Sequence, residues 1–358
     1  MLSYRMPTTQ DIREAAALLS GVAVLTPVVR SDALDVLTGA QVFVKLESLQ
    51  HTAAFKFRGA YNCMARLDRA SCPDGVIAYS TGNHGQAIAT VGHMLSIPTV
   101  VVMPSNAPAN KIEKARRAGA RIVTYDRERQ SREEVAEVLA REGQYQVVPP
   151  GDHHHVIAGQ GTLALEALEQ VGGDVDAIIA PCGGGGMSAG INLAVEAAGS
   201  RAQVWAAEPS EFDDTRRSLA SGQREMNASG RVSICDALLA PTPAELPFSI
   251  NSQRLAGVLI ASDDAVRRAM AFCFETFRVV VEPGGAVALA AMMSDPVAHA
   301  LKGKRVIVVA SGGNVDATLF AEAIGLSHSR ESAPFQGLAS RTGFSTIRRG
   351  LAFPAGAQ

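Results

Sequence analysis

The sequence predicts an α/β fold of two doubly wound, mostly parallel sheets with helices on both faces. Three observations carry that expectation. Short β-branched runs alternate with Ala-rich amphipathic stretches along the chain. The runs are almost continuously apolar, as strands covered on both faces must be. Aromatics make up only 5% of the residues while glycine contributes 33, a composition suited to closely packed layers.

In chain order, the expected strands are 76–80, 99–103, 121–125, 177–182, 204–208, 257–261, 278–282 and 306–311. Helical patterns fall at 85–95, 111–118, 132–141 and 265–277. The strands fall into two groups. One spans 50–148. The other spans 149–325 and is expected to recruit 1–49. Residues 224–252 form an irregular, Pro-containing connection. The tail 326–358 is rich in Ser, Arg and Gly and is expected to be poorly ordered.

Lys and Arg total 33 against 35 Asp and Glu, a net charge of -2. Such a balance offers no field for nucleic acid or an anionic membrane, so a small-molecule partner is expected. The 5 cysteines are scattered and form no CxxC pair, which argues against a disulfide framework and fits a reducing compartment. The N-terminal stretch has no apolar segment of signal-peptide type, and no run approaches a membrane span. A cytoplasmic location is the expectation.

Four junctions carry chemistry. In Phe55-Lys56-Phe57, a lysine between aromatics at a helix start is expected to be partly desolvated, which lowers an amine's pKa and makes it nucleophilic. Alone, the motif also fits a snorkelling surface lysine. Ser80-Thr81-Gly82-Asn83-His84 ends a strand and opens a helix, combining hydroxyls and free N–H groups suited to a carboxylate. An ordinary helix cap would look the same. Gly183, Gly184, Gly185 and Gly186, followed by Met187, open another helix. Glycine lets the backbone approach an anion, so this is a phosphate cradle. Ser311-Gly312-Gly313-Asn314 is a further glycine-opened strand end. The glycine run followed by Glu208 also imitates a dinucleotide fingerprint, which leaves an NAD-dependent dehydrogenase as an alternative.

Taken together, these segments resemble the threonine dehydratase and serine racemase group of pyridoxal-phosphate enzymes, of the tryptophan-synthase-like fold. The resemblance runs from 26 to 325. It includes KLESLQHTAAFKFRGA, STGNHGQA, VVMPSNAP, IAGQGTLALE, CGGGGMSAG, AAEPSEFDD, VEPGGAVALAA and SGGNVD in the family's order. It implies that Lys56 forms the Schiff base with pyridoxal 5'-phosphate and Phe55 packs against the ring. Asn83 would hydrogen-bond the ring hydroxyl, and Gly183 to Met187 would hold the phosphate. Ser311 would face the pyridine nitrogen, with Glu282 near the ring. Ser80, Thr81, Asn83 and His84 would line the substrate-carboxylate loop. Segment 50–148 would then be the small domain with the lysine and that loop, and 1–49 with 149–325 the large domain. A homo-oligomer, dimer or tetramer, is implied as well.

Glu208, the carbonyl of Phe212 and Asp214 resemble a cation site of the racemase branch, suited to Mg²⁺ or Ca²⁺. A strand end followed by a helix cap is the alternative. Thr81 stands where a serine is common and adds a methyl that restricts its rotamer. That places ammonia-lyase activity above racemisation. Ala53-Ala54 replaces a small polar pair. His153-His154-His155 looks metal-like, but neighbours in an extended segment point apart, so a solvated loop is expected instead of a zinc site.

The expected reaction is β-elimination of water from a β-hydroxy amino acid such as threonine or serine, giving a 2-oxo acid and ammonia. Hydroxyaspartate, phenylserine and a hydroxyectoine-derived amino acid are further candidates. A racemase and a non-catalytic cofactor-binding protein are the other readings. Ser311, a neutral partner, makes the ring a weaker electron sink and favours prompt loss of a β leaving group.

Overall fold

The computed structural model describes residues 5–80, 82–107, 109–126 and 128–328. Ten strands follow one another: β1 (Val28–Arg30), β2 (Gln41–Leu46), β3 (Gly75–Tyr79), β4 (Thr99–Pro104), β5 (Arg121–Tyr125), β6 (Tyr145–Val147), β7 (Ala177–Pro181), β8 (Gln203–Pro209), β9 (Leu255–Ala261) and β10 (Arg305–Ala310). They form a six-stranded sheet in the order β1-β2-β10-β7-β8-β9 and a four-stranded sheet in the order β5-β4-β3-β6. Among the described residues only the edge strand β1 runs antiparallel to its neighbouring strand.

The near-continuous apolar runs become central strands because each successive side chain meets a different helical layer. In β10, Val306 and Val308 enter the core packed on helix Pro283–Ser294, whereas Ile307 and Val309 enter the core of helices His154–Val171 and Gly186–Ala197. Ile178 and Ile179 of β7 divide between the same two layers. In the four-stranded sheet, Val76 and Ala78 pack on Phe57 of helix Lys56–Met64, and Ile77 faces the opposite core.

Helix His154–Val171 is the hub between the two sheets. A Cβ on Gly159 would lie 2.4 Å from the Arg58 carbonyl oxygen, and one on Gly161 would lie 2.3 Å from that of Gly190. The absent side chains let helices Lys56–Met64 and Gly186–Ala197 both close onto it. A buried ion network locks the first of these contacts. Arg58 Nε donates to Glu47 at 2.8 Å, Arg58 Nη1 donates to Glu166 at 2.7 Å, and Lys45 Nζ donates to Glu166 at 2.9 Å. Each guanidinium and carboxylate is paired, the condition under which buried charge is tolerated.

The structure corrects several expectations. Residues 278–282 are not a strand. The preceding helix runs on through a wide π-type turn, Cys273–Phe277, and Arg278 ends it at φ 58. The valines beyond link that turn to the next helix, and Glu282 N donates to Gly312 O at 2.9 Å. Strands β1, β2 and β6 were not expected. The histidine triplet is no solvated loop. His153 is buried and caps helix His154–Val171, its Nδ1 accepting His155 N at 3.1 Å, so the rings stack at a helix start instead of fanning apart. The tail expected to begin at 326 starts with the end of helix Ala317–His328, and 329–358 lie outside the described residues. Among the described residues no helix is long and apolar enough to cross a membrane.

Candidate active site

A cavity of about 410 Å³ opens at the carboxyl ends of β3, β7 and β10, between the two sheets. Parallel sheets place ligand sites there because each strand gives way to a loop and a helix N-terminus. Phe55, Lys56, Ser80, Asn83, His84, Gly183 to Met187, Glu282 and Ser311 all line it. Segments more than 200 residues apart in sequence therefore meet in one space. Thr81 lies outside the described residues.

Lys56 opens its helix directly after Phe55, and its Nζ stands 5.0 Å from that ring's centroid. The amine donates to the carbonyl oxygen of Pro150 at 2.5 Å. Burial pushes it down to about 8, so the ammonium still predominates at pH 7 but the neutral, nucleophilic form is far more populated than for an ordinary lysine. The Phe55-Lys56 segment is tied to the end of β10, since Phe55 N donates to Ser311 O at 3.0 Å. Ser311 itself is buried.

Asn83 begins helix Asn83–Leu95. Its Nδ2 donates to Glu282 Oε1 at 2.5 Å and its Oδ1 accepts Asn314 Nδ2 at 2.8 Å. The amide is thus oriented by partners from two other segments. Ser80 Oγ accepts Gly82 N at 3.2 Å. His84 is buried with Nε2 at 2.8 Å from Val148 O, an acceptor, which assigns the proton to Nε2. Burial, together with the nearby Lys56 charge, pushes its pKa down to about 3, so the ring is neutral. Its Nδ1 is buried without a hydrogen-bond partner.

The glycine loop is built for close approach. Gly185 stands at φ +87, a backbone that favours glycine, and a Cβ there would lie 2.9 Å from Asn251 Nδ2. Gly185 O accepts that amide at 3.1 Å, and Gly184 O accepts Ala244 N at 3.1 Å. With the carbonyls pinned outward, the loop and the start of helix Gly186–Ala197 are free to present N–H groups to an anion. A cradle a Cβ would fill, beside a neutralisable amine, fits pyridoxal phosphate.

Glu208, Phe212 and Asp214 lie apart from this cavity. Glu208 ends β8, and its two carboxylate oxygens accept Thr215 N at 2.9 Å and Arg216 N at 3.0 Å. It therefore caps helix Asp214–Ser221. Burial, with Asp214 close by, pushes Glu208 up to about 8, and burial pushes Asp214 up to about 6. Asp214 Oδ1 accepts Asn227 Nδ2 at 2.6 Å, whereas Oδ2 is buried without a partner. An orphaned buried carboxylate oxygen beside a second carboxylate fits a divalent cation. Among the described residues no group of three His, Cys, Asp or Glu is placed to hold a metal, the histidine triplet included.

Sequence reasoning missed several lining residues: Tyr79, Arg132, Glu133 and Asp236. Arg132 stacks its guanidinium 5.6 Å from the Tyr79 ring centroid at the cavity mouth. In the sequence it reads only as the first residue of a helix after Ser131, and nothing local marks it as facing a cavity.

The family model described as "Pyridoxal-phosphate dependent enzyme" matches residues 19–312. A Pseudomonas sp. protein named L-threo-3-hydroxyaspartate ammonia-lyase is 38% identical over 317 residues, covering 88% of this chain and 98% of that one. A Saccharomyces cerevisiae protein of the same name is 37% identical over 319 residues, covering 89% and 97%. Among solved structures, a maize serine racemase is 34% identical with a TM-score of 0.84, covering 91% of this chain and 99% of that one.

Proposed function

The chain belongs to the pyridoxal-phosphate dependent enzymes, and on that premise we propose that it is an ammonia-lyase that eliminates water from a small β-hydroxy amino acid, with Lys56 as cofactor carrier and base. One observation carries this reading: a single cavity gathers a desolvated lysine amine, a glycine-built anion cradle and a neutral hydroxyl, Ser311, at the end of β10.

Bound pyridoxal phosphate would supply an electron sink conjugated to the substrate Cα. Every other element of the reaction comes from the chain. The N–H groups of Gly183 to Met187 would hold the phosphate, and Phe55 would pack against the ring. Asn83, its amide oriented by Glu282 and Asn314, has its second N–H to offer the ring hydroxyl. Ser80, Thr81 and the N-terminus of helix Asn83–Leu95 would take the substrate carboxylate, next to a neutral His84. Lys56 removes the Cα proton and holds it at Nζ. The β-hydroxyl leaves, and the released product hydrolyses to a 2-oxo acid and ammonia. Ser311 brings no charge to the pyridine nitrogen, which favours elimination over slower reprotonation.

The test is a panel of L-serine, L-threonine, phenylserine and threo-3-hydroxyaspartate, scored for 2-oxo acid and ammonia and for D-enantiomer in the residual substrate. Lyase turnover exceeding racemisation is expected. Racemisation as fast as 2-oxo acid release would contradict the reading of Thr81 and Ser311.

Arg132 at the cavity mouth favours one member of that panel. A substrate with a second carboxylate, such as hydroxyaspartate, would find a guanidinium there that serine and threonine cannot use. Glu208, Phe212 O and Asp214 are proposed to hold Mg²⁺ or Ca²⁺ as a structural ion. Binding the folded state alone, the ion would raise the melting temperature with concentration. An unchanged melting curve under chelator and under added cation would reduce the site to a helix cap.

A further inference from the structure

Lys56 is not the only donor to the carbonyl of Pro150. Gln160, fully buried on helix His154–Val171, donates from Nε2 to the same oxygen at 3.1 Å. That contact fixes the amide's orientation, because the reverse would set Oε1 against another acceptor. A carbonyl oxygen has two lone pairs, and here each is taken by a different side chain.

Gln160 also touches the other two parts of the site. Its Cγ lies 3.0 Å from where a Cβ on Gly59 would stand, on the helix that carries Lys56. Its Oε1 lies 3.0 Å from where a Cβ on Gly186 would stand, at the end of the glycine loop, and is buried without a hydrogen-bond partner. No variation at Gly59 or Gly186 is possible without moving this side chain or the backbone beside it.

We infer that Gln160 is a positioning residue for Lys56: it aims the Pro150 carbonyl so that one lone pair receives the lysine amine when that amine carries a proton. The inference rests on Lys56 being the base. When Lys56 takes the Cα proton, the C–H bond breaks and its electrons form the Cα–Cβ double bond as the Cβ–O bond breaks and the hydroxyl leaves with that bond's electrons. Nζ becomes an ammonium in a desolvated place. The Pro150 oxygen is the acceptor the structure gives it, and the Gln160 N–H holds that acceptor still. When Nζ is engaged elsewhere, the same N–H keeps the carbonyl from being orphaned.

Charged and titratable groups face the amine from several elements. His84, Arg132, Glu133, Asp152, Asp236, Glu282 and Tyr79 share its cavity. Arg58, Tyr61 and Cys63 lie on its own helix, and His154, His155, Glu166 and Glu169 on that of Gln160. None of them is altered in the neutral variant Gln160→Met, so a shift seen there follows from loss of the Gln160 N–H on the Pro150 carbonyl, whereas Gln160→Glu adds a charge and tests only that the position is coupled to the amine.

The experiment compares Gln160→Glu and Gln160→Met with wild type by two pH series. The first follows attachment of pyridoxal phosphate to apoprotein by its visible band, which requires a neutral amine. The second follows kcat. A carboxylate at 160 favours the ammonium, so attachment at neutral pH should slow about tenfold for each pH unit by which the amine's titration is raised. It should recover at high pH, and the acid limb of kcat should move the same way with KM unchanged. Gln160→Met, similar in volume but lacking the donor, should lower kcat at least about tenfold and move the limb without preventing attachment. If Gln160→Glu does not fold, Gln160→Met decides by the same readouts. Wild-type pH dependence in both series, even with reduced cofactor occupancy, overturns the inference. Borohydride labelling of the variants separates the premises: label on a residue other than Lys56 would sink the lysine assignment itself.

Discussion

Arg132 shows what a single side chain brings to the cavity. Its guanidinium lies at the mouth of the cavity, half-exposed and stacked on Tyr79. Its Nε donates to Glu133 at 2.7 Å, so a substrate carrying a second carboxylate would pair with the guanidinium's remaining N–H groups or displace Glu133. Exposure discounts that gain, so Arg132→Leu is expected to lower kcat/KM for threo-3-hydroxyaspartate by about tenfold or more. The same change should leave L-serine within about threefold. Equal losses on both substrates would assign Arg132 to packing. That Lys56, Asn83, Ser311 and the glycines belong to one site was legible because each lies in a short motif at a strand-helix junction, and all line the same cavity. Arg132 was not legible as a site residue for the opposite reason. It enters the cavity from a helix whose facing direction is set by tertiary packing. For Asn314 the junction was legible but its partner was not, since it acts through Asn83, 231 residues away.

Among the elements, the glycine loop is the one whose backbone dictates its composition. Gly185 sits in the left-handed region, and a side chain there would press on Asn251. Gly185→Ala should cost about 1 kcal/mol of backbone strain before any clash is counted. The larger effect should fall on the cofactor, with affinity reduced at least about tenfold, read by titrating apoprotein with pyridoxal phosphate. Retained affinity would show that the loop tolerates a different path and that the phosphate is held elsewhere. The strands and helices show where periodicity suffices. Strands buried on both faces, such as β7 and β10, read as unbroken apolar runs and fall close to expectation. The valine run 279–281 has the same composition but no neighbour to pair with, because the helix before it extends to Phe277. The short strands β1 and β6, each of three residues, carry too little pattern to separate from loop. The histidines of 153–155 read as a loop because their helix begins on a side-chain cap that only the fold reveals.

At the scale of the whole molecule, buried neutral histidines tie stability to pH. Burial lowers His84 and His153 from 6.5 to about 3, and His155 to about 4. The folded protein therefore binds fewer protons than the unfolded chain across that interval. Their contribution is complete above pH 6.5 and is lost as pH falls toward 3. For a fully buried ring the loss is about 1.4 kcal/mol for each pH unit crossed. His153→Asn keeps an oxygen to cap His155 N but removes the titration. Its melting temperature should fall less steeply than that of wild type between about pH 6 and about pH 4. Parallel slopes would show that His153 is solvated before the protein unfolds.

Both sheets, the hub helix and the buried Arg58 network converge on the position of one amine, and that amine carries the central claim. The most direct measurement is borohydride treatment of the purified holoprotein followed by peptide mapping. The visible band of bound cofactor should bleach, activity on β-hydroxy amino acids should vanish with it, and the reduced cofactor should be found on the peptide containing Lys56. Cofactor fixed to another lysine, or a Lys56→Ala protein that still releases 2-oxo acid at the wild-type rate, would contradict the account.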